Sequence, residues 1–155
     1  MKKYIIDQVG GHTHARLGPL VMNVCHAQVL TDEDMETYIR RTVQESRGEP
    51  ALVSLSHYAH HIPSARQRQV MFAAMKTNRV PPPSRQALLT DSALLRGAMT
   101  AFGWLTGTDS ASYSLIDRHR ALLWLAETAA FDADEALVML DDCFRRSGLP
   151  LVAAS

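Results

Sequence analysis

The feature that most constrains the fold is an alternation of short apolar segments with longer amphipathic ones. The short apolar segments lie at residues 20–29, 51–55, 86–90 and 111–116. Each is followed, directly or after a loop, by a Ser, Thr or Asp and then by apolar residues that recur every three or four positions. Strands that alternate with capped helices are typical of α/β domains with right-handed crossovers between parallel strands.

N-capping residues locate the helix starts. Thr31 is followed three residues later by Asp34, which partly matches a capping box, in which two side chains satisfy free backbone N–H groups. Ser64 is a good N-cap for the following helix, and Asp91 or Ser92 for the next. The predicted helices are approximately residues 31–47, 64–78, 92–107, 118–128 and 133–146.

The N-terminal region predicts a β-hairpin. A strand from Lys3 to Val9 ends at Gly10-Gly11, and residues 12–19 are typical of a long connection with Gly and Pro punctuation. The next strand then begins at residue 20.

We therefore predict the α/β fold class, with a single domain over residues 1–155. Its mixed sheet has about five strands and is covered by helices. The parts are an N-terminal hairpin at 1–30, the βα units, and a short apolar C-terminal tail at 149–155.

Composition argues against several classes of function. Lys and Arg number 16, as do Asp and Glu, and this zero net charge argues against a nucleic-acid binder. No apolar run approaches the roughly 20 residues needed to insert into a membrane, and Asp7 interrupts the start of a signal peptide. Cys25 and Cys143 lie far apart without metal-type spacing, which fits a reduced cytoplasmic setting.

The charges are unevenly distributed along the neutral chain. Residues 51–90 contain no acid, and their cations are Arg66, Arg68, Lys76, Arg79 and Arg85. Such a run is typical of solvated helix faces, and it also fits a basic patch for an anionic partner or a phosphate group.

Histidine is the one enriched polar residue type, with seven copies. The pair His12 and His14 and the loop 57–61, which holds three more, resemble metal ligands. If residues 12–19 are a connection, the two groups lie at opposite ends of the sheet, roughly 20 Å apart, beyond the reach of one metal ion. We therefore predict a surface loop and no metal site, with a site completed by a dimer or by distant residues as the alternative.

No pattern in the chain predicts catalysis. A Gly-x-Ser-x-Gly elbow is absent, and so are phosphate-loop and dinucleotide fingerprints. Cys25 and Cys143 lie in apolar segments, where cysteine is usually an inert small hydrophobe. We therefore expect neither an enzyme nor a bound cofactor.

The order of elements over residues 20–127 resembles the STAS family, the fold of bacterial anti-sigma-factor antagonists and related small regulators. The elements that carry the resemblance are the strand into Thr31-Asp32-Glu33-Asp34, the strand Leu52–Leu55, the helix from Ser64, the strand Ala87–Thr90 with Arg96-Gly97 after it, and the closing Ala121–Leu125. The resemblance implies regulation by protein–protein binding, sometimes switched by phosphorylation of a serine at the start of a helix.

Ser64 occupies the place that compares with this serine. The local sequence Ile62-Pro63-Ser64-Ala65-Arg66 lacks the family's Asp-Ser-x-Gly texture. A phosphate at this helix N-terminus, beside Arg66 and Arg68, would be favourable, whereas a plain N-cap serine is the commoner case. We expect Ser64, Arg66 and Arg68 to contact a partner protein, with phosphorylation of Ser64 as an open alternative to simple capping.

Two further hypotheses remain open. The apolar tail Leu149-Pro150-Leu151-Val152 is a second candidate for the contact surface, packing either on a neighbour or on its own chain, and a homo-oligomer is a further alternative. A function of a different class is a small-ligand or metal-binding protein, or an enzyme, whose polar groups come from the histidine loop 57–61.

Overall fold

The computed structural model describes residues 4–155, apart from the side chains at positions 102 and 104–106. Lys3, where the predicted first strand begins, lies outside the described residues. The strands are β1 Ile5–Val9, β2 His12–Leu17, β3 Leu20–Cys25, β4 Val53–Tyr58, β5 Arg85–Leu89 and β6 Asp109–Tyr113. The helices are α1 Asp32–Ser46, α2 Ala65–Thr77, α3 Ala93–Thr106, α4 Arg118–Ala126 and α5 Ala133–Arg146, with a short 3₁₀ turn at Leu115–Asp117 before α4.

The sheet follows chain order, β1-β2-β3-β4-β5-β6. The first three strands form an antiparallel meander, and β3 to β6 are parallel to one another. The predicted α/β class with a mixed sheet is therefore confirmed.

Alternate side chains of each strand lie on opposite faces of the sheet and contribute to two separate hydrophobic cores. On one face, Val53 and Leu55 of β4 join Met139 and Leu140 of α5 in a fully buried cluster. On the other face, Cys25 packs with apolar residues of α1 and, at the margin, of α2: Met35, Ile39, Val43, Met71 and Met75. Helices thus cover both faces of the sheet, as a sheet with parallel strands requires.

The prediction that residues 12–19 form a connection is wrong. They contain β2, and with this strand the mixed sheet, predicted to have about five strands, has six. Gly10 and Gly11, with φ of +55° and +70°, make a two-residue turn, and Gly18, with φ of +55°, belongs to the next one. β2 begins His-Thr-His, which carries no apolar strand signal, yet all three of these residues are buried.

The predicted capping residues are confirmed at the main helix starts. Thr31 and Asp34 form a capping box, and Ser92, rather than Asp91, caps α3. Asp117 precedes α4 but makes no capping hydrogen bond, and its carboxylate instead accepts one from the Ser114 hydroxyl. Within residues 4–155, no helix combines the length and apolar character that a bilayer span requires.

Candidate partner-binding site

The start of α2 is fixed by a reciprocal pair of side chains. The Ser64 hydroxyl accepts a hydrogen bond from the backbone N–H of Gln67 at 3.1 Å. The Gln67 side-chain oxygen accepts from the backbone N–H of Ser64 at 2.9 Å. Ser64 is an exposed residue, although its hydroxyl is engaged in this cap.

Gln67 is a structural residue that the sequence analysis missed. Its side-chain amide donates to the Leu30 carbonyl at 3.0 Å and to the Asp32 carboxylate at 3.1 Å. It is the one buried residue of α2, and it clamps the first turn of that helix to the start of α1. The Ser-x-x-Gln spacing of a capping box was the signal that could have identified it.

Arg66 is held only by a surface ion pair. Its guanidinium lies 3.2 Å from the Asp32 carboxylate, and the two side chains are 78% and 64% exposed. An exposed pair of this kind contributes about 0–1 kcal/mol, because water screens the attraction and both side chains lose freedom. Arg66 can therefore exchange Asp32 for another carboxylate at little cost.

Arg68 stabilises the loop that precedes α2. Its guanidinium donates to the Pro63 carbonyl at 2.7 Å, which closes the turn that leads into α2. The structure thus brings Ser64, Arg66 and Arg68 to one helix end but gives Arg68 a structural bond that Arg66 lacks.

A shallow groove of about 160 Å³ runs between α1 and α2 beside Arg66. Its lining residues are Asp32, Met35, Glu36, Arg66, Gln67 and Val70. Val70 is 51% exposed, so this groove offers an apolar contact one helical turn away from a cation. We name Ser64, Arg66, Arg68, Val70 and the groove the α2 surface.

Arg85 does not belong to the α2 surface, although it lies in the same basic stretch of sequence. It pairs with Asp109 at 3.2 Å and Glu127 at 2.8 Å, and its guanidinium lies 4.6 Å from the ring centre of Trp124. Its side chain is only 18% exposed. These acids from other segments neutralise it, which sequence proximity alone could not show.

The histidines of residues 57–61 make separate contacts. His57 belongs to β4, where its Nδ1 donates to the Leu89 carbonyl at 2.9 Å and its ring lies 5.0 Å from that of Phe144. His61 Nδ1 accepts from the backbone N–H of Leu30 at 2.5 Å, while His60 is exposed. Among the described residues, no group of three or more His, Cys, Asp or Glu side chains could hold a metal ion.

The predicted separation of the two histidine groups along the sheet is wrong. His12 pairs with Cys25, and Cys25 pairs with Tyr58, so His12 and His57 lie near the same end of the sheet. The error follows from the missed strand β2, which runs antiparallel to β3. The two rings nevertheless project from opposite faces, because His12 stacks on Tyr38 of α1 at 4.0 Å whereas His57 packs on α5.

Both cysteines are buried and free. Burial raises the pKa of the Cys143 thiol to about 12, and it also raises the pKa of Cys25. Thiols of this kind remain protonated at neutral pH and are poor nucleophiles.

The fold and this geometry define a single α/β domain with a capped, cationic and partly apolar helix surface. Comparison with known proteins adds no relative, since the chain matches no protein-family model, no curated protein and no solved structure.

Proposed function

We propose that this protein is a non-enzymatic regulatory or scaffolding module that binds another protein through the α2 surface. The observation that carries the proposal is the pairing of Arg66, whose ion pair is exposed, with the exposed Val70 beside a groove. Interfaces commonly combine an apolar contact with an arginine that can form directed hydrogen bonds.

The energetics of α2 support this proposal. Its 13 residues bury only Gln67, and Met71, Ala74 and Met75 are half-buried against the α1 side. Most helical stability in proteins comes from packing an apolar face. A partner that covers Val70 would therefore add packing that α2 has only in part within one chain.

The class of function proposed, regulation by protein–protein binding, comes from the resemblance to STAS regulators. By that resemblance, the protein would act in the bacterial cytoplasm, and phosphorylation of Ser64 would switch binding. A phosphate on the exposed Ser64 would lie at a helix N-terminus near two guanidinium groups, where negative charge is stabilised. A homo-oligomer would be the special case in which the partner is a second copy of this chain.

The test is an affinity capture of the tagged protein from its own cell extract, with partners identified by mass spectrometry and binding then titrated with the purified partner. The decisive variant is Arg66→Glu, because it reverses charge and removes only the exposed ion pair with Asp32, whereas Arg68→Glu would also break the hydrogen bond to the Pro63 carbonyl. Arg120→Glu is the matched control, since Arg120 is 69% exposed and also makes only a weak ion pair, at 3.8 Å from Asp117.

We expect a stoichiometric partner whose binding weakens at least about tenfold with Arg66→Glu, or about 1.4 kcal/mol, and is unchanged with Arg120→Glu. A partner that binds both variants equally would place the interface elsewhere. If no protein is retained, the binding-module proposal fails, and a ligand and metal panel by thermal shift would test the histidine alternative.

A further inference from the structure

Helix α3 is apolar yet lies at the surface. Of its 14 residues, only Arg96, Thr100 and Thr106 are polar. Leu94 is 81% exposed. Four small residues of the same helix are exposed as well: Ala93, Gly97, Ala98 and Ala101. A helix that is apolar around most of its circumference is ordinarily buried, so this exposed side of α3 lacks the cover that its composition requires.

The sheet beneath α3 presents mainly polar groups. Helix α3 packs on β6 so closely that a Cβ at Gly103 would lie 3.0 Å from the Ser110 hydroxyl oxygen. Because Ala87 and Leu89 belong to the core on the other side of the sheet, alternation places four residues of β5 and β6 on the side of α3: Gln86, Leu88, Ser110 and Ser112. Only Leu88 among them is buried. Helix α3 therefore meets mainly polar groups on its sheet side and solvent on its outer side.

Helices α2 and α3 lie on the same side of the sheet, and this side carries unpaired positive charge. Residues 51–108 contain a single acid. Lys76, Arg79 and Arg96 are exposed, and within the described residues none of the three forms an ion pair. The acids of α5, such as the 88% exposed Asp134, lie with that helix on the opposite side of the sheet. The chain is neutral overall but polarised, with its unpaired cations on the side of α3.

We propose that the exposed side of α3, together with Lys76, Arg79 and Arg96 on the same side of the sheet, docks on the surface of an anionic lipid bilayer. We name these residues the α3 surface. Helices that lie in a bilayer interface combine apolar side chains, which enter the headgroup region, with Lys and Arg, which anionic lipids attract. Such a helix lies in the plane of the interface and needs no spanning length.

The chemistry of the α3 surface favours a lipid over a protein partner. The exposed Leu94 and its small Ala and Gly neighbours have no hydrogen-bonding side chains, so they give a partner protein no directional contacts, whereas a fluid bilayer requires none. Asp91, the one acid in this stretch, opposes only part of the three positive charges. The α3 surface shares no residue with the α2 surface, so the inference goes beyond the proposed function and different variants test the two.

The experiment measures flotation of the full chain with two kinds of vesicle, phosphatidylcholine alone and phosphatidylcholine with about 30% phosphatidylserine. The decisive variants are Leu94→Gln, which removes the large exposed apolar side chain, and Lys76→Gln/Arg96→Gln, which removes two cations. All three side chains are exposed, so the substitutions should leave the fold intact, and circular dichroism checks this.

The matched controls lie on the opposite side of the sheet. Leu123→Gln matches Leu94→Gln, because Leu123 is 49% exposed on α4. Arg120→Gln/Arg145→Gln matches the double charge variant, since these two side chains, on α4 and α5, are 69% and 62% exposed.

We expect binding to the vesicles that contain phosphatidylserine and none to phosphatidylcholine alone, with weaker binding at about 0.5 M salt than at about 0.1 M because salt screens surface charge. Binding should weaken at least about tenfold in the double charge variant and about fivefold or more in Leu94→Gln, and it should be unchanged in both controls. Absence of binding to the anionic vesicles, equal losses in the controls, or full binding by Leu94→Gln would overturn the proposal. Self-association on gel filtration that Leu94→Gln abolishes, without vesicle binding, would show instead that α3 docks on a second copy.

Discussion

Stability should fall as the solution is acidified from pH 7 to pH 5, in large part through His12. The His12 ring is 2% exposed, stacks on Tyr38, and donates from Nδ1 to the Gly10 carbonyl at 2.7 Å. Burial lowers its pKa from about 6.5 to about 4, and the nearby His26 and His14 act in the same direction. The hydrogen bond to Gly10 and the charge of Asp34 oppose this shift only in part.

The sign of the effect follows from proton linkage. Between about pH 6.5 and pH 4 the unfolded chain binds a proton at His12 and the folded chain resists it, so protonation favours unfolding. The stabilisation is complete above the unfolded pKa and is lost as the pH falls toward the folded pKa. With these two pKa values, His12 alone removes about 2 kcal/mol from the free energy of unfolding between pH 7 and pH 5.

Urea unfolding of the protein and of the variant His12→Asn at several pH values between 7 and 5 isolates this contribution. The asparagine amide can donate to the Gly10 carbonyl but does not titrate. The variant also loses the Tyr38 stack, and the free energy lost in this way is the same at every pH. We expect the variant to be less stable than the protein at pH 7. The difference between their free energies of unfolding should narrow by about 2 kcal/mol by pH 5. Parallel profiles for the protein and for His12→Asn would refute the reasoning.

Three further predictions concern stability, and urea or thermal unfolding measures each. Ser64→Ala should lower the free energy of unfolding by about 1 kcal/mol because the N-cap is lost, whereas Ser64→Asp, which keeps an acceptor there, should lower it by less. Equal losses for the two variants would contradict the capping role. Gly10→Ala should cost more than Gly18→Ala, because both have φ of +55° but only at Gly10 would a Cβ clash with a backbone oxygen, that of Asp34. Leu140→Ala in the core should lower the free energy of unfolding by about 2–5 kcal/mol, whereas Val138→Ala at an exposed site of the same helix should lower it by about 0.5 kcal/mol or less. Similar losses for the two variants would show that this core is not packed as described.

Local sequence signals were sufficient to predict the helices and most strands of this fold. Capping residues such as Thr31 and Ser64 act within one turn, so their role can be recognised without knowledge of the tertiary structure. The strand β2 could not be recognised in this way, because His12 and His14 are buried through partners distant in sequence. Tyr38 stacks on His12, and Glu45 accepts a hydrogen bond from His14.

The site residues show the same division. Sequence alone placed Ser64, Arg66 and Arg68 near one another because they share one helix start. It could not separate Arg66 from Arg85, since that distinction depends on the acids Asp109 and Glu127, which the fold brings to Arg85. Charge runs along a sequence therefore indicate where cations are concentrated, and only the fold shows which of them are already neutralised.

Helix α1 connects the α2 surface with the buried ion-pair cluster around Glu45. Asp32, in its first turn, accepts from Arg66 and Gln67 of α2, and Glu45, in its last turn, accepts from His14 and Arg16 of β2. At about 1.5 Å per residue these carboxylates lie about 20 Å apart on one element. The Arg66–Asp32 pair is exposed, and its charge is screened over this distance, so charge alone cannot couple it to the cluster around Glu45. Any coupling would require α1 to shift as a body against the strongly buried Met35 and Ile39, and such a shift is costly in a close-packed core. The two sites should therefore respond to substitution independently of each other, and the effects of Arg66→Glu and Arg16→Gln on stability should add.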